Sequence, residues 1–476
     1  MSTFSVLEGD RLWPTPPGTG RRSSVAPQKR WHGCANRARS IAHFAQPCHH
    51  RRPGPITRRP EEVPVSRTTP AGRPSRVLAL ADDLSGAAET AAALGLPGRI
   101  LLGPPTAPTP EGEALVLDLD TRQLTADEAA RAVRAAMPYA DGGLVFKKVD
   151  SLLRGNIASE AASYAAGAAG VVIAPALPVA GRTVLDGVVH VHGTALHVTD
   201  AWCAERGPAP ESVRAALGDL PTRVVPLSVV RSPVLALSGW LRTLIAKGHH
   251  PVCDAETDDD LDAIAQAVLQ LGPDVRLLGT GGLAAALGRR LAGADGGGLR
   301  ATPGPTPYRP LLVVVGTAAP STVAQIAQLL ASGAHHVPVP AHLLTDHRGP
   351  HPLAVVPDGI TVVSIDGSGP VEPGSARTLA AGLARTVAEA ARDSDLVLTG
   401  GETARRVLDA LGLRELLPVG QIHHGAVHSR TADGRSVVTR PGSFGDTDSL
   451  LRIARALRPD HAAALTPSFA PQGEPT

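Results

Sequence analysis

Two adjacent acids, Asp82 and Asp83, end the apolar run VLALA and open the helix-forming run SGAAETAAALG. A pair of acids at a strand end can hold a hydroxyl, take its proton, or bind Mg²⁺ through water. One acid alone also serves as a helix N-cap, a role open to Asp83. A second cluster is FKKVDSLLRGN. The chain has four Lys against 42 Arg, and two of those Lys, Lys147 and Lys148, are adjacent here. Asp150 and Arg154 follow within a turn's reach. A compact ammonium and a planar guanidinium beside a strand end suit a carboxylate or phosphate ligand. Neighbouring strand side chains point to opposite faces, so at most one Lys faces such a site. The other reads as a surface charge or a partner for Asp150. In APALPVAGRTVLDG, Arg182 and Asp186 are candidates to line a cleft, although a structural loop explains them as well.

Three further segments are built from small residues. Gly316-Thr317 follows LLVVV, and Thr399-Gly400-Gly401-Glu402-Thr403 follows DLVL. Arg440-Pro441-Gly442-Ser443-Phe444-Gly445-Asp446 is the third. Small residues let backbone amides approach an anion, and a helix N-terminus adds a favourable field. None matches GxxxxGK[ST] or GxGxxG. Three such loops in one domain favour a nucleotide over chance.

These residues need elements to hold them. Short apolar runs alternate with helix formers from Arg76 onward: VLALA, EALVLDLDT, GLVFKKVD, AGVVIA, RVVPLSVV and HHPVCDAET, then LLVVVG, TVVSID and DLVLTGG. That alternation predicts parallel α/β sheets, whose ligands bind beyond the carboxyl ends of the strands. The Gly/Pro-rich stretch 293–310 separates two such domains, at 76–305 and 306–460, facing each other across an active-site cleft. Residues 1–75 read as a disordered basic Pro/Arg-rich tail and 461–476 as a flexible C-terminal tail. Residues 1–70 hold 12 Lys+Arg against 4 Asp+Glu, and the other 406 hold 34 against 40. The mildly acidic body argues against a nucleic-acid partner. Four Cys without a CxxC exclude a disulfide scaffold and disfavour structural zinc. No targeting signal or membrane span is legible, so a soluble cytoplasmic protein is expected. The sequence leaves a homo-oligomer open.

Taken together and in order, ADDLSGA, FKKVDSLLRGN, APALPVAGRTVLDG, VCDAETDDDL, GGETA and RPGSFGD resemble the four-carbon acid sugar kinases, which phosphorylate tetronates such as threonate, erythronate and 3-oxo-tetronate. The resemblance runs from about Arg76 to Arg458. It implies a sugar-acid-binding N-terminal domain and an ATP-binding C-terminal one. ATP contacts of the family map onto Thr317, Gly400, Gly401, Glu402, Thr403, Gly442, Ser443 and Gly445. The substrate side maps onto Asp82, Asp83, Lys148, Asp150, Arg154 and Arg182. There are departures: the family's Thr in the first motif is Ser85, its Ser-Thr is Ser151-Leu152, its Gly-Ser near ATP is Gly316-Thr317, its Lys before the late glycine loop is Arg440, and a Pro-Gly pair is His424-Gly425.

The resulting expectation is an ATP-dependent kinase with Mg²⁺ bridging the phosphates, acting on a terminal hydroxyl of a four-carbon sugar acid. Asp83, held between a strand and a helix, is the preferred acid at the attacking hydroxyl, ahead of Asp82. Cations of the Lys motif and Arg154 would hold the substrate carboxylate. A nicotinamide-dependent dehydrogenase and a non-catalytic sensor on a decayed kinase fold are the alternatives; the missing GxGxxG counts against the first, and the intact acids, Lys pair and glycine turns against the second.

Overall fold

The computed structural model describes residues 76–459, apart from 106–108, 204, 206, 293–307, 318, 346–352, 367–375 and 443. Both expected tails, most of the 293–310 linker and Ser443 therefore lie outside the described residues.

The apolar runs form strands buried on both faces, as a parallel sheet covered by helices requires. In the first half the order across the sheet is Gly98–Leu101, Ala114–Asp118, Val77–Ala81, Leu144–Lys148, Val275–Gly279, Gly170–Ala174, His250–Cys253, Thr222–Val225, all parallel. In the second half it is His335–Pro340, Ile360–Asp366, Leu311–Val315, Asp395–Thr399 and Ser436–Arg440, also parallel. The second sheet continues antiparallel through Ala426–Arg430 and Glu415–His423.

Glu415 and Leu416 pair antiparallel with Leu101 and Ile100, joining the two halves edge to edge in one 15-stranded ladder. One hydrophobic core likewise runs through both halves, from Val77 and Phe146 to Leu312, Leu398, Val407 and Val437. Leu311, Val313 and Val315 alternate with Leu312 and Val314 and face a second core with Ile326, Leu450 and Ile453. Packing is close where glycine permits it. At Gly288 a Cβ would lie 2.4 Å from the Ala93 carbonyl oxygen, which seats helix Gly281–Leu291 against helix Leu84–Leu94.

Three elements differ from the sequence reading. Arg182–Leu185, Val188–Val191 and Thr194–Ala195 form a separate small antiparallel sheet where a loop was expected. His335–Pro340 is an edge strand, a place that tolerates its two prolines. The hairpin 415–430, whose first strand carries Pro418 and Gly420 and is bulged, has no clean period-2 signal. Among the described residues no helix is long and apolar enough to cross a membrane.

Candidate active site

Strand Val77–Ala81 delivers Asp82 and Asp83 to its carboxyl end, and Asp83 is the N-cap of the next helix, its Oδ1 accepting the Gly86 amide at 2.8 Å. Both acids are gripped by one side chain, Arg122. Its Nε and Nη2 reach Asp82 Oδ2 at 2.9 and 2.8 Å, its Nη1 reaches Asp83 Oδ2 at 2.9 Å, and Asp150 Oδ1 lies 3.8 Å from Nη2. The Arg122 loop is docked on the strand end, with the Thr121 and Arg122 amides both donating to the Asp82 carbonyl. Asn156 fastens the loop from below through the Thr121 and Leu124 carbonyls.

The sequence reading missed Arg122. A usable signal existed: DLDTR lies at the end of strand Ala114–Asp118, the direct neighbour of Val77–Ala81, with Ala81 registered on Asp118. The strand-end rule applied there would have reached it.

The two acids differ electrostatically. Burial pushes Asp82 up, but the charges of Arg122, Lys147 and Lys148 outweigh it and hold its carboxyl below the ordinary value. Burial of Asp83, reinforced by the Asp82 charge, outweighs Arg122 and leaves Asp83 above the ordinary value. Asp82 is thus the fixed charge and Asp83 the better proton acceptor.

Lys147 and Lys148 point to opposite faces, as strand geometry requires. Lys148 turns toward the acids, its Nζ 3.2 Å from Glu89 Oε2, and burial is outweighed by Glu89, Asp82, Asp83 and Asp150 in keeping it charged. Lys147 is neither a surface charge nor a partner of Asp150. It is fully buried, 3.0 Å from Glu160 Oε2, and donates to the Lys148 carbonyl. Glu160 also accepts from the Thr121 hydroxyl, which ties this pair to the Arg122 loop.

Asp150 and Arg154 form a two-pronged pair at 2.8 and 2.8 Å. Burial opposes ionisation of Asp150, but Arg154 and Arg122 hold it far below the carboxylate range. Arg182 donates to the Ser151 hydroxyl and lies over the Phe444 ring of the second half. Asp186 occupies a tight turn whose amide, with that of Gly187, is held by Asp254; this is a structural anchor of the small sheet.

In the second half the three small-residue turns converge. A Cβ on Gly316 would lie 1.8 Å from Thr403 Oγ1, and one on Gly442 would lie 3.3 Å from Thr317 Cγ2. Gly400, at φ +96°, turns the chain into helix Gly401–Ala410 and bonds the Arg440 carbonyl through its amide. Glu402 is ion-paired with Arg406 and Arg377, at 2.8 and 3.4 Å, and so faces cations rather than the turn. Arg440 is buried and structural: it donates to Gln325 Oε1 and to the Phe444 carbonyl, and burial pulls its pKa down to about 10. Gly445 has φ +88° and sits against Ser449.

The two clusters meet. A Cβ on Gly401 would lie 2.8 Å from Asp83 Oδ2 and 3.0 Å from Ser85 Oγ, so the glycine turn of one half touches the acid of the other. Behind this contact Arg405 bonds Asp118 at 2.9 Å and Arg406 bonds Asp120 at 2.7 Å, across the junction. Asp82 Oδ1 and Ser85 Oγ are buried there without a protein partner among the described residues.

Comparison with known proteins supplies the context for this geometry. Residues 77–287 match a family model described as a sugar-binding N-terminal domain, and residues 312–450 match one described as a nucleotide-binding C-terminal domain. The chain is 31% identical over 411 residues to a D-threonate kinase of Cupriavidus necator, covering 81% of this chain and 99% of that one. It is 30% identical to a D-threonate kinase of Salmonella typhimurium (79% and 96% covered) and 28% identical to a 3-oxo-tetronate kinase of Methylobacterium radiotolerans (78% and 96%). Among solved structures, a Salmonella typhimurium protein described as a putative tRNA synthase shares the fold at TM-score 0.65 and 24% identity, covering 80% of this chain and 99% of that one. A Haemophilus influenzae protein does so at 0.60 and 21%, covering 79% and 99%. With two domain models matched in order and relatives spanned almost end to end, the chain is a kinase and belongs to the four-carbon acid sugar kinase family.

Proposed function

We propose that this enzyme uses ATP to phosphorylate the terminal C4 hydroxyl of a four-carbon sugar acid, of the threonate, erythronate or 3-oxo-tetronate class. The observation that carries the proposal is the contact between Asp83 and the Gly400-Gly401 turn. A triphosphate seated on the amides of that turn, at the positive end of helix Gly401–Ala410, would bring its terminal phosphate to the hydroxyl that Asp83 faces. Phosphoryl transfer asks for in-line placement and charge neutralisation more than covalent help.

Asp83, the acid with the raised pKa, accepts the proton of the attacking hydroxyl. Asp82 stays ionised, and Arg122 fixes the spacing of the two carboxylates. Lys148 contributes positive charge beside the acids. Arg154 holds Asp150 in place. The turns at Thr317, Gly400, Gly401, Thr403, Gly442 and Gly445 form the nucleotide side. Among the described residues no group of three or more His, Cys, Asp or Glu is placed to hold a metal. Mg²⁺ needs only one or two carboxylates when the rest of its shell is phosphate and water. The unpartnered Asp82 Oδ1 fits that need as a single carboxylate donor, and bound Mg²⁺ would neutralise phosphate charge there.

A coupled ADP-release assay across a panel of four-carbon acids tests the proposal, with nicotinamide absorbance followed in parallel. ADP release dependent on one of these acids is the expected result. Binding of ATP and acid without product, or a nicotinamide signal in its place, would overturn it.

A further inference from the structure

Arg182 differs from the other cations around the acids. Arg122 is committed to Asp82 and Asp83, Arg154 to Asp150, Lys148 to Glu89 and Lys147 to Glu160. Arg182 forms no ion pair with a carboxylate among the described residues. Its Nη1 donates to the Ser151 hydroxyl, and its Nε is buried without a partner. Burial accordingly pulls its pKa below the ordinary arginine value, with Asp150 opposing only in part. The guanidinium is half-buried, and its Nε, shut off from water without a partner, carries a desolvation cost that an anion would relieve.

Besides the Ser151 hydroxyl, a group from the opposite half of the molecule holds this side chain. The Arg182 guanidinium carbon sits 5.7 Å from the centroid of the Phe444 ring, within cation–π range. Phe444 is itself fixed at the backbone, its carbonyl accepting from Arg440 and from Gln325 Nε2. His424 packs behind the ring at 5.5 Å between centroids, tilted by 48°.

We propose that Arg182 receives the carboxylate of the sugar acid, and that Phe444, on a loop of the nucleotide half, is a positioning residue that aims Arg182 at it. The proposal rests on the kinase reading above and moves the carboxylate away from Arg154 and Lys148, whose charges are already used. Phe444 lies two residues from Gly442, which packs on Thr317, so one short loop serves both sides of the transfer.

The test uses the full-length enzyme and whichever panel acid it phosphorylates best. Phe444→Leu keeps an apolar side chain and removes the ring. It should raise the Michaelis constant for the acid by about 5- to 30-fold, while kcat and the constant for ATP change less than twofold. Phe444→Tyr should restore the wild-type value, because the ring face is retained. Arg182→Met should raise the same constant further, and Phe444→Leu added to it should then have no effect. Wild type should also prefer the acid strongly over the polyol in which hydroxymethyl replaces the carboxylate, and Arg182→Met should lose that preference. An unchanged constant for the acid in Phe444→Leu, or an equal rise for ATP and acid, overturns the inference alone. Additive effects of the two substitutions overturn the coupling between them. A wild-type enzyme that phosphorylates no acid of the panel overturns the kinase reading and this inference with it. Melting curves establish that each variant is folded, and the Tyr variant and the preference ratio remain decisive if the Leu variant is not.

Discussion

Asp82 and Asp83 are chemically identical neighbours, and only their surroundings separate them. Burial opposes the charge on Asp82, but three cations outweigh it and keep it ionised, whereas Asp83, half-buried beside that charge, holds its proton more readily. General-base help is worth about 10²- to 10⁴-fold. Asp83→Asn keeps the size and the cap acceptor but cannot take the proton, so kcat should fall by about that factor with the Michaelis constant for ATP nearly unchanged. The acid limb of the wild-type rate profile should lie above the ordinary carboxylate range. Near-normal turnover in a folded Asp83→Asn enzyme would hand the role to Asp82 or Asp150. Arg122 carries a different expectation, since removing it leaves three carboxylates facing one another. Arg122→Gln should cost about 3–5 kcal/mol of stability, the penalty for uncompensated buried charge. Denaturant unfolding reads this directly, and a loss under 1 kcal/mol would show that water or other cations replace the guanidinium.

At the level of elements, the site is made by turns that bring backbones closer than side chains allow. Gly316 and Thr403 come from different strand ends and touch where a Cβ would collide at 1.8 Å. Gly316→Ala should therefore cost about 1–3 kcal/mol by overpacking and weaken ATP binding, as seen by calorimetry. Adding Thr403→Ala should recover most of the lost stability, because it removes the obstructing hydroxyl and methyl groups. A Gly316→Ala protein with wild-type melting and ATP affinity would mean that the turn shifts at no cost. Gly401 is more exacting. A side chain there meets Asp83 and Ser85, so Gly401→Val disturbs the acid as well as the proposed nucleotide turn and should depress turnover beyond its effect on ATP affinity.

Across the whole molecule, the two halves are joined by a strand pair, a shared core and the Arg405–Asp118 and Arg406–Asp120 bridges. Burial pushes the Asp118 carboxyl up to about 7 despite Arg405. A carboxyl raised on folding favours the protonated state, so its stabilising contribution is full below the unfolded value near 4 and is lost as pH rises toward 7. The wild type should therefore lose melting temperature relative to Asp118→Asn between pH 5 and 8. Parallel curves for the two proteins would show that Arg405 keeps Asp118 ionised throughout.

The alternation of apolar runs and helix formers was sufficient to read a parallel α/β architecture, because strands buried on both faces and helix caps are local properties of the chain. The acids, the Lys motif and the glycine turns were legible for the same reason: strand ends are where such sheets bind ligands, and only small residues let backbones approach. Other features depended on which strands became neighbours. Arg122 belongs to the site because its strand lies beside that of Asp82, and Lys147 leaves it because Glu160 waits on the opposite face. The contacts of Gly401 with Asp83 and of Phe444 with Arg182 join residues far apart in sequence, and neither carries a local signature. Residue types and their spacing indicate what chemistry is available. Which charge is spent on which partner is a matter of distance and burial, and those are set only when the sheets, helices and loops have packed.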